Sequence, residues 1–148
     1  MDHRPKIIFL CTGNPARGAM AEGFVHHLAG DQLVAASGGT KSAFLHPLAF
    51  EVMREAGVDI STQRCKTMAE AIKEHFAFAV SIYDKAKERN PVFPFAFRLF
   101  PWSIRDPEES VESELRVRFR STRDEIERRV RQLLSGPARE LKPTLKAA

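Results

Sequence analysis

Apolar and polar positions fall into blocks along this chain, and the period changes from block to block. Lys6 to Leu10 (KIIFL) is a short apolar run, β-branched and aromatic, between Pro5 and a Thr-Gly-Asn-Pro turn. That pattern predicts a fully buried strand. From Arg17 the spacing becomes helical: Met20, Phe24 and Leu28 fall four apart, with Ala21 and Val25 beside them, and Gly30-Asp31 stop the run. Leu33 to Ala36 predicts a second strand, ending in Ser37-Gly38-Gly39. Pro47 to Ala56 predicts a helix through Leu48, Val52 and Met53, with Gly57 as its stop. Thr67 to Glu74 predicts a third helix, Phe76 to Ile82 (FAFAVSI) a third strand and Phe97 to Phe100 a short fourth. From about Glu108 to Leu134 a long helix carries Leu115, Phe119, Ile126, Val130 and Leu133 on one stripe, and Gly136-Pro137 ends it.

Strands alternating with helices predict an α/β fold with a parallel sheet covered on both faces. Right-handed crossovers make it a small, doubly wound, four-stranded sheet. The expected organisation is one domain over residues 1–136, with 137–148 as a loose tail. Ligands bind such sheets at the carboxyl ends of the strands. Cys11 stands at one of those ends.

Composition narrows the function classes. The chain has 148 residues, 43% hydrophobic and 28% charged, enough to bury a core without disulfides or metal. No apolar stretch approaches the roughly 20 residues of a membrane span, and MDHRPK lacks the apolar core of a signal peptide. Cys11 and Cys65, 54 positions apart, form neither a metal pair nor a secreted framework, so a reducing cytoplasm is expected. Net charge is +4, but the densest basic stretch, Arg116 to Arg131, is interrupted by Asp124, Glu125 and Glu127. That reads as a solvated helix face rather than a nucleic-acid surface. His26-His27 and His46 have no acidic or thiol partners at ligand spacing, so no metal is expected. The segment SGGTKSA lacks the G-K-[ST] of a nucleotide loop, because Thr40 separates Gly39 from Lys41.

The chemistry concentrates in CTGNPARG, residues 11–18. A thiol reacts as thiolate, and free cysteine is mostly protonated at neutral pH. Here it precedes a helix N-terminus, whose unpaired N–H groups carry partial positive charge. A loop wrapping toward that helix aims backbone N–H groups at one point, which suits a tetrahedral oxyanion. Gly13 and Asn14 are residue types that tolerate positive φ. Arg17 adds a planar fork for two oxyanion oxygens. The same positive surroundings are expected to lower the Cys11 pKa. Cys-x5-Arg alone is a common coincidence in a chain this rich in arginine; strand before, Gly-Asn-Pro inside and helix after make it more specific.

These residues also resemble a known family. IIFLCTGNPARGAMAEGF is similar to the active-site signature of the low-molecular-weight protein tyrosine phosphatase superfamily, most closely its thioredoxin-coupled arsenate reductase branch. AASGGTKS, AFEVMREAGVDIS, AVSIYDKAKERNPVFP, WSIRDP and FRSTRDEIERRV extend the likeness from about Lys6 to Leu134. The resemblance implies a phosphotyrosine protein phosphatase I-like fold, Cys11 as nucleophile and Arg17 as the stabiliser of the transition state. It implies an oxyanion cradle of Thr12, Gly13, Asn14, Pro15, Ala16, Arg17 and Gly18. Asp106 matches the general acid, which protonates the leaving oxygen and later activates water. Taken alone, an Asp before Pro107 reads as a turn or cap residue. Asn14 and Ser37 resemble the polar pair that supports the loop.

The departures matter as much. The reductase branch carries two further redox cysteines, and this chain has Tyr83 and Asn90 at the matching positions. Cys65, in another segment, reads as an ordinary partly buried thiol, with service as a substitute resolving cysteine the lesser alternative. Glu108 and Glu109 stand where phosphatases of the family carry aromatics, while Phe93, Phe95, Phe97 and Trp102 read mainly as core. Gly18 replaces the Ser or Thr whose hydroxyl stabilises the thiolate. The leading expectation is a phosphatase that hydrolyses phosphomonoesters through a phosphocysteine, without cofactor or metal. The alternative is arsenate reduction by Cys11 with an external thiol donor: glutathione, glutaredoxin or thioredoxin. A third reading is a catalytically weakened oxyanion-binding regulatory protein. The expected partner is a small oxyanion or phosphomonoester, not nucleic acid or membrane.

Overall fold

The computed structural model describes residues 3–39, 44–89 and 96–141. Four strands, β1 (Lys6–Cys11), β2 (Val34–Gly39), β3 (Phe76–Tyr83) and β4 (Ala96–Ser103), form one all-parallel sheet in the order β2-β1-β3-β4. The expected doubly wound α/β sandwich is therefore observed. β1 lies between β2 and β3, so Ile7 to Cys11 are all buried, which is why this strand reads as a continuous apolar run. Pro101 sits in β4, at the sheet edge, where a missing N–H costs no ladder bond on the outer side.

Helix α1 (Ala16–Ala29) follows β1, and α2 (Pro47–Glu55) follows β2. With the last helix, α4 (Leu115–Ser135), they pack on one face around Phe9, Phe24, Met53, Phe78, Phe119 and Ile126. The other face is thinner: Ile8, Leu10, Phe76 and Ala79 are covered by Ala71 and Met68 of a single-turn helix, α3 (Met68–Ala71). Gly57, at φ 79°, terminates the α2 segment in a conformation that favours glycine. His46 caps α2, its Nδ1 accepting the Leu48 N–H at 3.1 Å.

Two expectations shift. The last helix begins at Leu115 rather than Glu108, because Asp106 and Pro107 close a separate 3-10 turn and a second one follows at Glu112–Glu114. Pro137–Leu141, expected within a loose tail, is a 3-10 helix, and fully buried Ala138 joins the core. Residues 142–148 lie outside the described residues, as do Thr40, Lys41, Asn90, Phe93 and Phe95. Trp102 is core, its ring 5.7 Å from that of Phe9. The basic face of α4 is paired with acids: Arg120 and Arg123 both reach Glu55, and Arg116 reaches Glu51. Among the described residues no helix is long and apolar enough to cross a membrane, and no group of three or more acidic, His or Cys side chains is placed to hold a metal. His26 has one carboxylate neighbour, Glu22, at 3.9 Å.

Candidate active site

β1 delivers Cys11 to its carboxyl end, and the chain then turns over residues 12–15 into α1. The Thr12 N–H still reaches the Ile82 carbonyl at 3.4 Å, and the Pro15 carbonyl accepts the first helical bond, from Ala19, at 3.0 Å. The loop is thus pinned at both ends. Residues 16 to 25 of α1 are all buried, so the functional side chains it carries are held on every side.

Arg17 is fully buried. Its Nη1 donates to the Ile104 carbonyl at 2.8 Å and to Glu88 Oε1 at 3.2 Å. Nη2 lies 3.8 Å from Asp106 Oδ2, and neither Nε nor Nη2 makes a hydrogen bond among the described residues. Leaving a buried donor unmade costs about 1–3 kcal/mol, and more for a charged group. A bound oxyanion would supply acceptors for these donors. The bidentate geometry of guanidinium fits a tetrahedral oxyanion.

Cys11 Sγ accepts the Gly18 N–H at 3.0 Å. This is a backbone donor at the start of α1, where the helix dipole also favours negative charge. Nevertheless the expected pKa depression is reversed. Burial pushes the thiol up to about 12, while the Arg17 charge and the Gly18 N–H pull it down and offset only part of the rise. Sequence displays the nearby charges but not the exclusion of water, and here exclusion of water wins.

Gly13 is needed for a reason other than the expected one. Among the described residues only Gly57 has positive φ, so neither Gly13 nor Asn14 uses the left-handed region. A Cβ at position 13 would stand 2.7 Å from Glu88 Oε2 and 3.0 Å from Arg17 Nη2. Glycine here makes room for the groups that crowd the loop.

Asp106, from the loop after β4, is buried and serves as both cap and site residue. Its Oδ1 accepts the Glu108 N–H at 2.9 Å, closing the 3-10 turn, while Oδ2 accepts Asn14 Nδ2 at 3.1 Å and faces Arg17. Asn14 therefore holds Asp106. Ser37 is engaged elsewhere: its hydroxyl donates to Glu22 Oε1 at 2.8 Å. Beside Asp106, Glu108 is half-buried and its carboxyl is raised by burial and by the Asp106 charge.

Cys65 is half-buried. Lys66 bridges Gly38 on the side of β2 opposite β1, while Cys11 pairs with Gly39 from β1. Two strand spacings of about 4.8 Å put the two cysteine backbones roughly 10 Å apart. That exceeds the ~7 Å reach of a disulfide without backbone movement.

Two residues of the site escaped the sequence reading. Glu88 lies among Lys85, Lys87 and Arg89, where nothing distinguishes it from a solvated turn. Glu22 lies one helical turn beyond Gly18 and is buried, and burial pushes its carboxyl up to about 7. Its position among the apolar Met20, Ala21, Phe24 and Val25 was the available signal.

Gly18 leaves little spare room, since a Cβ there would meet Cys11 Sγ and the Phe9 carbonyl, each at 3.2 Å. Small shifts by those neighbours would admit a serine whose hydroxyl adds a second donor to the sulfur. One hydrogen bond to a charged group contributes about 1.5–3 kcal/mol, equivalent to a Cys11 pKa lower by roughly one to two. We expect Gly18→Ser to produce that fall when thiolate absorbance is titrated in a Cys65→Ser background. Identical curves for the two proteins would show that the missing hydroxyl is immaterial.

The model of the low molecular weight phosphotyrosine protein phosphatase family matches residues 6–146. Arsenate reductases of Shouchella clausii and Bacillus subtilis are 34% and 33% identical over 128 residues, spanning 85% of this chain and 92% of theirs. A solved arsenate reductase in its phosphate-binding state superposes with a TM-score of 0.73 at 28% identity, over 88% of this chain and 97% of that one. The low molecular weight protein tyrosine phosphatase of T. tengcongensis shares the fold, with a TM-score of 0.66 at 22% identity over 88% and 98% of the two chains. A family match over nearly the whole length, on the four-stranded fold that the family's solved structures share, leads to one conclusion: the chain belongs to the low molecular weight phosphotyrosine protein phosphatase family.

Proposed function

We propose that this protein reduces arsenate, with Cys11 as nucleophile and an external thiol as reductant. The observation that carries the oxyanion half of this reading is the buried Arg17 fork, whose Nε and Nη2 hydrogens lack acceptors beside the Cys11 thiol. Arsenate is favoured as the oxyanion because relatives at 33–34% identity are arsenate reductases. That similarity supports the alternative reading of the sequence more than the phosphatase reading.

In the proposed reaction a hydrogen arsenate dianion accepts hydrogen bonds from Arg17 and the loop N–H groups. Cys11 sulfur attacks arsenic, and an As–O bond breaks. The departing oxygen takes the thiol proton and the arsenate's own proton and leaves as water, with Asp106 placed to relay the proton. A donor thiolate then attacks Cys11 Sγ, and the S–As bonding pair stays on arsenic. Arsenic leaves as arsenite, taking up protons, and Cys11 remains in a mixed disulfide with the donor. A second donor thiol attacks that disulfide and restores the Cys11 thiol. Two sulfurs are oxidised as arsenic falls from +5 to +3. The donor is external because Cys65 lies beyond disulfide reach of Cys11.

Phosphomonoester hydrolysis is the second reading, favoured by Asp106 standing against Arg17 where it would protonate a departing ester oxygen. A side-by-side assay separates them. Purified protein is given arsenate with glutathione, glutaredoxin or thioredoxin, and separately an aryl phosphate. Arsenite formation that depends on one of these donors supports the proposal. Aryl phosphate hydrolysis without arsenite supports the phosphatase. Phosphate binding with neither activity supports the regulatory oxyanion binder.

A further inference from the structure

Glu88 has a place in the site that the reaction above does not use. It ends the turn that follows β3, and that turn is fastened to itself twice. The Glu88 N–H donates to the Asp84 carbonyl, and the Asp84 N–H donates back to Glu88 Oε1, both at 2.6 Å. The same Oε1 accepts Arg17 Nη1 at 3.2 Å. Nη1 therefore has both its hydrogens engaged by the protein, one by the Ile104 carbonyl and one by Glu88. A planar guanidinium held at one nitrogen by two fixed acceptors has one orientation that satisfies both. That orientation leaves Nε and Nη2 for a ligand.

We propose that Glu88 is a positioning residue that holds the Nη1 end of Arg17, so that the Nε–Nη2 edge is preset for the oxyanion. The proposal rests on the oxyanion-binding reading of Arg17. Burial raises the Glu88 carboxyl, but the Asp84 N–H and Arg17 together outweigh it and hold it below the usual carboxylate range. Its second oxygen explains the crowding above Gly13: Oε2 is the atom nearest to where a side chain at position 13 would begin. Because that oxygen belongs to a carboxylate pinned by Asp84 and Arg17, displacing it would also disturb the arginine.

A carboxylate beside a cationic anion site has another possible effect, opposite in sign. If Glu88 merely competed with the oxyanion for Arg17, removing it would tighten anion binding. If it positions Arg17, removing it weakens binding and slows turnover together, because misaligned catalytic groups cost up to about 100-fold.

Inorganic phosphate titrated calorimetrically into wild type, Glu88→Ala and Glu88→Gln distinguishes these, alongside kcat/KM with arsenate and aryl phosphate. The expected result is about 10-fold weaker phosphate binding and a 10- to 100-fold lower kcat/KM for the alanine variant. Glutamine keeps an oxygen that can accept from both Arg17 and Asp84, so it is expected to recover binding to within about threefold of wild type. Phosphate binding by Glu88→Ala that equals or exceeds wild type would overturn the proposal, as would a glutamine variant as damaged as the alanine one. A wild-type protein that binds no phosphate would instead overturn the oxyanion reading on which the proposal rests.

Discussion

Replacing Cys11 with serine is expected to lower turnover of arsenate or aryl phosphate by on the order of 10⁴-fold or more, as loss of a covalent nucleophile does elsewhere. Inorganic phosphate binding should persist, because Arg17 and the loop N–H groups that hold the anion are untouched. The two measurements together matter. Loss of turnover with retained binding assigns Cys11 to chemistry, whereas loss of both would indicate a collapsed loop. Serine occupies the same space beside the Gly18 N–H, but an alkoxide is far harder to generate there than a thiolate. Even the thiol is difficult to ionise, its pKa lying near 12 before substrate arrives. A Cys65→Ser control is expected to behave as wild type, since β2 separates the two cysteines. Steady-state assays with an arsenite readout and calorimetry with phosphate check all three proteins.

Arg17→Lys is expected to lower kcat/KM by about 10² to 10³-fold, the usual cost of losing a preorganised transition-state donor. Lysine keeps the charge but presents a single ammonium in place of a fork. That ammonium would be contested by the Ile104 carbonyl, Glu88 and Asp106, which at present divide the guanidinium among them. The Nε–Nη2 edge that awaits an anion disappears. The expected signature is a fall in kcat with weaker phosphate binding. A lysine variant within a few-fold of wild type would mean that charge alone suffices and that fork geometry is not the basis of recognition.

The fold was largely visible in the sequence because its periods are clean. KIIFL and FAFAVSI are buried on both faces and carry no competing pattern, and Met20, Phe24 and Val25 mark the buried core side of α1. The errors came at ends, where tertiary contacts decide. Asp106-Pro107 diverts the chain into a 3-10 turn before α4, and Ala138 is drawn into the core by packing that no local pattern announces.

The site was visible in part. Spacing and resemblance point to Cys11 and Arg17, resemblance alone to Asp106, and the three converge on one location. Their energetics were not visible, since burial reverses the expected direction of the Cys11 pKa and no sequence pattern reports depth. Asn14 and Ser37 were expected to act as a pair, yet Asn14 contacts Asp106 and Ser37 contacts Glu22. Glu88 was hidden for a different reason. Its role depends on a contact 71 residues away, and in a turn of mixed charges one glutamate looks like any other.

The claim that Cys11 carries arsenate chemistry with an external thiol is tested most directly by a single turnover followed by peptide mapping. Protein is mixed with arsenate and a limiting amount of the donor, quenched with acid, and both cysteine-bearing peptides are examined by mass. The account predicts arsenite release matched by a mixed disulfide between the donor and Cys11, with Cys65 unmodified. Arsenite release that leaves Cys11 free of donor, or no arsenite with any donor thiol, would contradict it.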